Sequence, residues 1–451
     1  MASLYGILLL RMNKLLSFSA VLFAASIAFA AKFEILPRVL QADKPSTVKI
    51  SCDDASLLAN PERLAVRCIS AEGILSNGNI AGWAKYEDVP FEIKDGKIIA
   101  SHVFKNQQEH TFVFVSKPQK ANEKEKVLGK AKVYSLYPEL FALRPFKGEF
   151  HLHSKGSDGK NEPIEVAVKC LEKGYDFFAL SDHSNYGSSV ELCKVLKEFP
   201  ITMASYRAEE VHLNGNAHVH SFGATQSITN WAKENPEVYK KAVEEKLKSL
   251  PAMPEQSKYS LAQTCVAFDK IREFGGVSVF NHPYWKPNDR TTVDSYQRNA
   301  IFDNFYCDAI EVFNDFDDTL MTMTKVAKVQ GKFGKRINVV GNSDAHHIND
   351  IGKSYTIVFA PSASFKDLAA AIRDGKSLGV ENSHKQKIIF GDDALVEYAY
   401  FLESEYFPRL REIRAKESKA LEAALKDEDR DEEFEDSAKK IKDFKSEFWQ
   451  K

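Results

Sequence analysis

The 451-residue chain has few cysteines, little net charge and no long apolar run beyond its first thirty residues. Six cysteines in a chain of this length exclude a disulfide scaffold. None stand in C-x-x-C spacing, which argues against a cysteine zinc site or a redox dithiol. A formal net charge of −2 excludes a broadly basic nucleic-acid binder, and no nucleic-acid partner is specifically implied. No stretch after residue 30 approaches the ~18 consecutive apolar residues of a membrane span. Hydrophobic residues at 44% describe an ordinary globular chain. At ~150 residues per domain the length suits two or three domains.

What is present begins with an export signal. Residues 12–30 read MNKLLSFSAVLFAASIAFA, with Lys14 ahead of an apolar run from Leu15 to Phe29. Ala28 and Ala30 supply small residues at −3 and −1 before Ala31. The form is that of a secretory signal peptide over residues 1–30, with Met12 a more natural start than Met1. The expectation is a secreted protein, delivered to a bacterial periplasm, with no membrane span after cleavage. A retained anchor is the competing reading, disfavoured by the short apolar core. In an oxidising compartment Cys52 and Cys68 are free to pair. Cys170, Cys193, Cys265 and Cys307 sit in apolar contexts and read as buried thiols.

Residues 31–145 hold short β-rich runs, among them STVKISC (46–52), RLAVRCIS (63–70) and HTFVFVS (110–116), separated by turns such as KDGK (94–97). This pattern predicts a small antiparallel β-sandwich. From residue 146 to 385 strand-like runs alternate with amphipathic helices stopped by glycine, which predicts an α/β sheet or barrel. Residues 226–262 interrupt the rhythm with a polar helical insertion of the kind that forms lids. Residues 386–451 turn strongly charged with weak apolar recurrence, and read as a solvated helical tail packed on the body.

Chemistry concentrates where the strands end. GEFHLHS sets His151 and His153 two apart, on one strand face. FFALSDH ends in Asp182 and His183, SVFNHP in His282, and VVGNSDAH in Asp344 and His346, while AIEVFN carries Glu311. EEVHLNGNAHVHSFG holds Glu210, then His218 and His220, and the turn SDG adds Asp158. In parallel α/β folds the carboxyl ends of strands converge on one site. Imidazoles and carboxylates together suit Zn, Mn or Fe rather than Ca or Mg. About nine candidate ligands exceed one tetrahedral site, so two or three divalent metals are expected.

The motifs H-L-H-S-K-G-S-D-G (151–159), A-L-S-D-H (179–183), E-E-V (209–211), N-H-P-Y (281–284), A-I-E-V-F-N (309–314) and N-S-D-A-H (342–346) resemble the PHP (polymerase and histidinol phosphatase) superfamily. The resemblance covers residues 146–385. It implies a distorted (β/α)7 barrel, a two- or three-metal centre and, for most members, phosphoesterase activity. It places His151, His153, Glu210 and Asp344 on one metal. Asp158, His183 and His346 fall on a second, with Glu210 bridging, and His282 with His218 or His220 on a third. The chain also departs from the family pattern. Ala208 stands where a glycine is usual, and Glu209 is an alternative to Glu210. Gly223 is preceded by histidines at both family distances, so His218 and His220 stay open. Asp158 replaces a histidine of some three-metal members.

Around this set, Asp182 is expected to orient His183, and Glu311 to support the ligands from behind. His347, His102, His110 and His384 read as non-ligands. Asn185, Tyr186, Tyr284 and Trp285 flank the strand ends, where they line either a substrate pocket or packed loops. Lys155, Lys160 and Arg207 read individually as surface charges, with phosphate binding the sharper alternative. The expected reaction is hydrolysis of a small phosphoester, a hydroxide held between two metals attacking phosphorus in line. Asp344 and His346 are the catalytic candidates, His346 or another cluster histidine shuttling the proton. Two alternatives are an amide, carbamate or lactone hydrolase on the same site, and a non-catalytic periplasmic metal-binding protein.

Overall fold

Alternation of apolar and polar residues shapes the first strands. From Pro45 to Ile50 every second side chain is buried, and the opposite set faces solvent. The computed structural model describes residues 31–451 except 81, 83, 84, 119, 121, 214 and 215, so the expected signal segment lies outside the described residues. The described chain divides into two units.

The first unit runs to Tyr137 and includes Glu447–Lys451. Its strands are β1 (Phe33–Leu36), β2 (Val39–Gln41), β3 (Pro45–Cys52), β4 (Leu64–Ser70), β5 (Glu87–Asp88), β6 (Phe91–Lys94), β7 (Lys97–Val103), β8 (Gln108–Ser116) and β9 (Lys126–Leu136). They form a four-stranded sheet, β1-β3-β7-β6, and a five-stranded sheet, β2-β9-β8-β4-β5. One apolar cluster draws on both sheets, with Ile35, Ile50 and Ile98 from one and Val66, Phe112 and Val133 from the other. The β6–β7 hairpin turns on Asp95 and Gly96, both at positive φ (52° and 69°), as a two-residue turn matched to strand twist requires. The chain end pairs beside β2: Arg38 N donates to Phe448 O at 2.9 Å and Gln450 N to Val39 O at 2.8 Å. Cys52 and Cys68 lie on strands of different sheets, and all six cysteines are free thiols.

The second unit opens with α1 (Pro138–Phe141) and the strand β10 (Arg144–Glu149). Units of strand and helix follow: α2 (Pro163–Glu172), β11 (Phe177–Leu180), α3 (Tyr186–Leu196), β12 (Ala204–Val211), β13 (Val219–Phe222), α4 (Ile228–Glu234), α5 (Pro236–Ser249), α6 (Glu255–Glu273) and β14 (Val277–Phe280). Then come α7 (Ser295–Asn304), β15 (Ala309–Phe313), α8 (Thr319–Phe333), β16 (Val339–Gly341), β17 (Ser354–Ala360), α9 (Phe365–Arg373), β18 (Ser377–Glu381) and β19 (Ile388–Phe390). The ten strands form one sheet, ordered β16-β15-β14-β13-β12-β11-β10-β17-β18-β19. β10, β11 and β12 run parallel, as do β14, β15 and β16, whereas β13 and β17 run against their neighbours. The fold is therefore mixed α/β.

The sheet curls until its far strands nearly meet. Ser377 Oγ donates to Val339 O at 2.7 Å, and Thr356 Oγ1 to Gly341 O at 2.7 Å. Gly341 is required at this seam: an added Cβ would stand 2.8 Å from Tyr355 O and 3.0 Å from Gly379 Cα. Inside lie Phe150, Phe177, Phe222, Val279 and Val340, buried completely.

The expected polar insertion at 226–262 forms α4, α5 and the start of α6. α6 continues unbroken through the glycine-stopped helix, so the insertion and the next repeat share one rod. The charged tail forms α10 (Asp393–Glu405), α11 (Phe407–Ala424) and α12 (Asp431–Phe448). α11 docks on α2 through buried polar contacts: Arg414 Nη2 stands 3.1 Å from Asp176 Oδ1, and Ser418 Oγ donates to Val168 O at 3.0 Å.

Candidate metal centre

Strands β10 to β16 of the second unit deliver polar side chains at one edge of the sheet. Beyond β10, His151 and His153 bracket Leu152, which bridges in parallel to Ala345. Beyond β11 comes His183, bridged in parallel to Glu210 on β12. β14 leads to His282, β15 carries Glu311, and β16 leads to Asp344 and His346. β13 is antiparallel to β12, so its amino end, with His218, lies at the same edge. His282 and Asp344 hold positive φ (25° and 56°), a backbone strain of the kind kept at functional sites.

Four side chains meet at the centre. His151 Nε2 lies 3.3 Å from both Glu210 Oε2 and Asp344 Oδ1. His153 Nε2 lies 3.5 Å from Glu210 Oε2 and 2.9 Å from Asp344 Oδ1. All four atoms are buried, and none has a hydrogen-bond partner. Ligands on a tetrahedron at 2.0–2.1 Å from a metal stand about 3.3–3.4 Å apart, so this cage has the edges of a metal site. Burial raises the Glu210 and Asp344 carboxyls, yet the surrounding imidazoles hold both well below the ordinary carboxylate range. Buried carboxylates crowded against imidazole nitrogens that have no hydrogen-bond partner make a place for a cation. Here the residues fit one.

Partners behind these side chains fix their orientation. His151 Nδ1 lies 2.9 Å from Glu311 Oε1. Glu311 in turn accepts from Asn342 Nδ2, Asn314 Nδ2 and the His282 backbone N–H. The expected supporting role of Glu311 matches this geometry. A carboxylate behind a ligating imidazole sets its tautomer and raises its basicity.

Two further groups adjoin the cage. Asp158 Oδ1 is 3.3 Å from His346 Nε2, and its Oδ2 is 3.5 Å from His183 Nε2. His346 Nδ1 sits 2.8 Å from Asp344 O, which leaves Nε2 as the lone-pair side facing Asp158. On the other flank, Glu210 Oε1 is 3.0 Å from His218 Nδ1 and 3.3 Å from His282 Nε2. Each set keeps its ligand atoms within 4.8 Å of one another.

The structure separates residues that the sequence leaves as alternatives. Glu209 turns away from Glu210 and secures the start of α4, accepting from Ser227 Oγ at 3.0 Å and from the Ile228 N–H. His220 pairs directly with Glu210 across the strands, yet it sits a rung deeper than His218. Both its ring nitrogens are buried without partners beside Phe150, and burial holds it well below the ordinary histidine range. His220 joins none of these sets, whereas His218 does. Asp182 braces the 154–157 turn: Ser154 N, Ser154 Oγ and Ser157 Oγ all donate to it. That is a different task from orienting His183.

Among the flanking residues, Trp285 packs against His218 and His282, with ring centroids 5.1 Å away in each case. Asn185 caps α3, and Tyr284 lies under Arg298. Lys155 is spent on Glu162 at 2.7 Å. The sequence reading missed Phe316, 49% exposed and edge-on to His346 at 5.5 Å, and His212, whose Nε2 lies 3.1 Å from His183 Nδ1. The signal for His212 was available, since it stands two residues after Glu210 as His153 stands two after His151.

Residues 334–377, which include β16, Asp344 and His346, match the family model described as PHP-associated. Over 53 residues the chain is 45% identical to the DNA polymerase/3′-5′ exonuclease PolX of Bacillus subtilis, a match covering 12% of this chain and 9% of that protein. It is 16% identical to the crystal structure of a two-domain protein from Bacteroides vulgatus that contains a predicted PHP-like metal-dependent phosphoesterase. That match covers 58% of this chain and 70% of the other, with a TM-score of 0.41. A lesion-specific endonuclease from Pyrococcus furiosus is 17% identical, with coverage of 51% and 56% and a TM-score of 0.34.

Proposed function

We infer that this chain, which carries a PHP-associated domain, is a metal-dependent hydrolase of the PHP superfamily, and that it cleaves a small phosphoester. The observation that carries the reading is the cage of four buried, unpartnered atoms from His151, His153, Glu210 and Asp344. These residues are assigned to one cation. Asp158, His183 and His346 are assigned to a second, and Glu210, His218 and His282 to a third; His220 is left out.

A divalent transition metal held there supplies Lewis acidity and lowers the pKa of a bound water toward about 7. The protein's part is to place and orient. Glu311 and Asn314 fix the inner ligands, and Asn314 Nδ2 also donates to Asp344 Oδ2 at 3.2 Å. His346 stands at the open side of the site, with Nδ1 held by Asp344 O and Nε2 toward the half-exposed Asp158. With the second position empty, it is the side chain assigned to proton transfer at Nε2; with a cation there, Nε2 is a ligand. Trp285 and Phe316 flank the ligand rings and are assigned to the leaving group.

The same proposal takes the ten-stranded sheet as a distorted (β/α)7 barrel and the two-sheet unit as a β-sandwich. It takes residues 1–30 as an export signal and the periplasm as the destination. The basic-then-apolar pattern of residues 12–30 supports export. Among the described residues no helix is long and apolar enough to cross a membrane.

The test is metal analysis of the purified protein with a panel of phosphomonoesters, phosphodiesters and amides. Phosphate or alcohol release that disappears on chelation and returns with Mn or Zn is expected. Full turnover by metal-depleted protein, or turnover of amides alone, overturns the assignment.

A further inference from the structure

His212 follows directly on β12, and Glu210 and His212 leave the strand on the same face, two residues apart. The β12–β13 register pairs Glu210 with His220 and Val211 with Val219. Extended by one residue, it sets His212 opposite His218, and the two rings stack at 3.9 Å with 25° between their planes. The strand pair thus raises a ladder toward the open edge: Glu210 and His220 on the deeper rung, His212 and His218 above.

His212 Nε2 points inward from this ladder. It lies 3.1 Å from His183 Nδ1 and 4.0 Å from Glu210 Oε2, while His183 Nδ1 is itself 2.8 Å from Glu210 Oε2. Three potential ligand atoms from three side chains therefore face one another. Protons alone would have to be shared: one hydrogen on His183 Nδ1 would serve both Glu210 Oε2 and His212 Nε2. A ring nitrogen carries at most one hydrogen. If His183 Nδ1 gives its hydrogen to Glu210, its approach to His212 Nε2 has no hydrogen of its own. If Nδ1 is the lone-pair side, it faces a carboxylate oxygen at 2.8 Å with nothing between. A shared cation satisfies all three atoms at once.

We propose that His212 is a metal ligand: its Nε2, with His183 Nδ1 and Glu210 Oε2, holds a divalent transition-metal cation at the rim of the centre. The proposal rests on the metal-hydrolase reading and adds a ligand to it. Two imidazoles and one carboxylate favour Zn, Fe or Mn over Mg or Ca. The side chain of His212 is 34% exposed, so the cation would have an open position toward solvent. In this assignment His183 leaves the Asp158–His346 set: its Nδ1 serves the rim cation, and its Nε2 carries the ring hydrogen toward Asp158, because a neutral ring has one lone pair to give. His212 supplies the third ligand on the Nδ1 side.

The experiment uses the full chain, stripped with chelator and reloaded with Zn. Bound equivalents are measured by elemental analysis and stepwise affinities by calorimetry. The wild type is compared with His212→Ala, His212→Asp and Asp158→Asn. The expected result is that His212→Ala loses one equivalent, or binds its weakest equivalent at least about tenfold less tightly. His212→Asp, which returns a ligand oxygen, recovers part of the loss. Cobalt(II) in place of zinc gives a second readout, its visible absorption changing in His212→Ala. Unchanged stoichiometry, affinities and cobalt spectrum in His212→Ala overturn the proposal, as does a loss found in Asp158→Asn alone. Should His212→Ala fail to fold by circular dichroism, His212→Gln is held to the same criteria. A wild type that binds no cation overturns the metal-hydrolase reading along with this one.

Discussion

Glu210 commits both oxygens of one carboxylate. Oε2 faces His151, His153 and His183, while Oε1 faces His218 and His282 and accepts from Asn281 Nδ2 at 2.9 Å. Its neighbour Glu209, of the same chemistry, serves only to hold the first turn of α4. The pair offers a clean contrast. Glu210→Gln keeps the shape and removes the charge, and is expected to lower metal content by more than one equivalent and turnover by more than about 100-fold. Glu209→Gln leaves metal content unchanged and costs on the order of 1 kcal/mol in stability, because a charged acceptor at a helix start is weakened. Elemental analysis and urea denaturation of the two variants decide this; equal metal loss in both would contradict the geometry.

At the scale of elements, the charged tail shows how a polar sequence becomes part of a folded body. α11 carries Arg414 into full burial, where it meets Asp176 and donates from Nη1 to Gly174 O at 3.2 Å. Glu417 on the same helix accepts from Thr202 Oγ1 at 2.6 Å. Burial raises the Asp176 carboxyl, but Arg414 and Lys445 hold it below its ordinary value. Removing one partner of such a pair strands the other charge. Arg414→Ala is therefore expected to destabilise the second unit by about 3–5 kcal/mol, read by urea denaturation. A shift below about 1 kcal/mol would show that water replaces the guanidinium and that α11 docks through its apolar residues alone. The double change Arg414→Met with Asp176→Asn is expected to cost less than Arg414→Ala.

For the whole molecule, two units with separate cores predict separate responses to solution conditions. In the first unit His110 is buried, with Nε2 2.9 Å from Ser135 Oγ, and burial lowers it to about 3 from an ordinary 6.5. A histidine whose folded value is depressed contributes stability that is fully present above 6.5. That stability is lost as the pH falls toward 3, because the unfolded chain takes up the proton first. The unit is expected to weaken below pH 6.5 by as much as roughly 1.4 kcal/mol per pH unit from this residue. His110→Gln is expected to flatten that part of the profile. Thermal melts of the two proteins between pH 7 and 4 check it, and parallel profiles would remove His110 as the cause.

Much of the centre is legible in the residues alone. The two-residue spacing of His151 and His153, and the placing of His183, His282, Asp344 and His346 just past apolar strand runs, depend only on strand period and chain direction, which are local properties. The mixed α/β fold of the second unit follows from the same alternation. Depth and direction are not local. Whether His218 or His220 meets Glu210 Oε1, and which of Glu209 and Glu210 enters the site, depends on the register between strands and on the α4 start that captures Glu209. The return of residues 447–451 to β2 spans nearly the whole chain and leaves no mark in their sequence. Residue types and period are written in the sequence, so the chain by itself determined that imidazoles and carboxylates would gather at one edge. Only the tertiary structure decided which atoms face one another, because that is set by contacts between segments far apart along the chain.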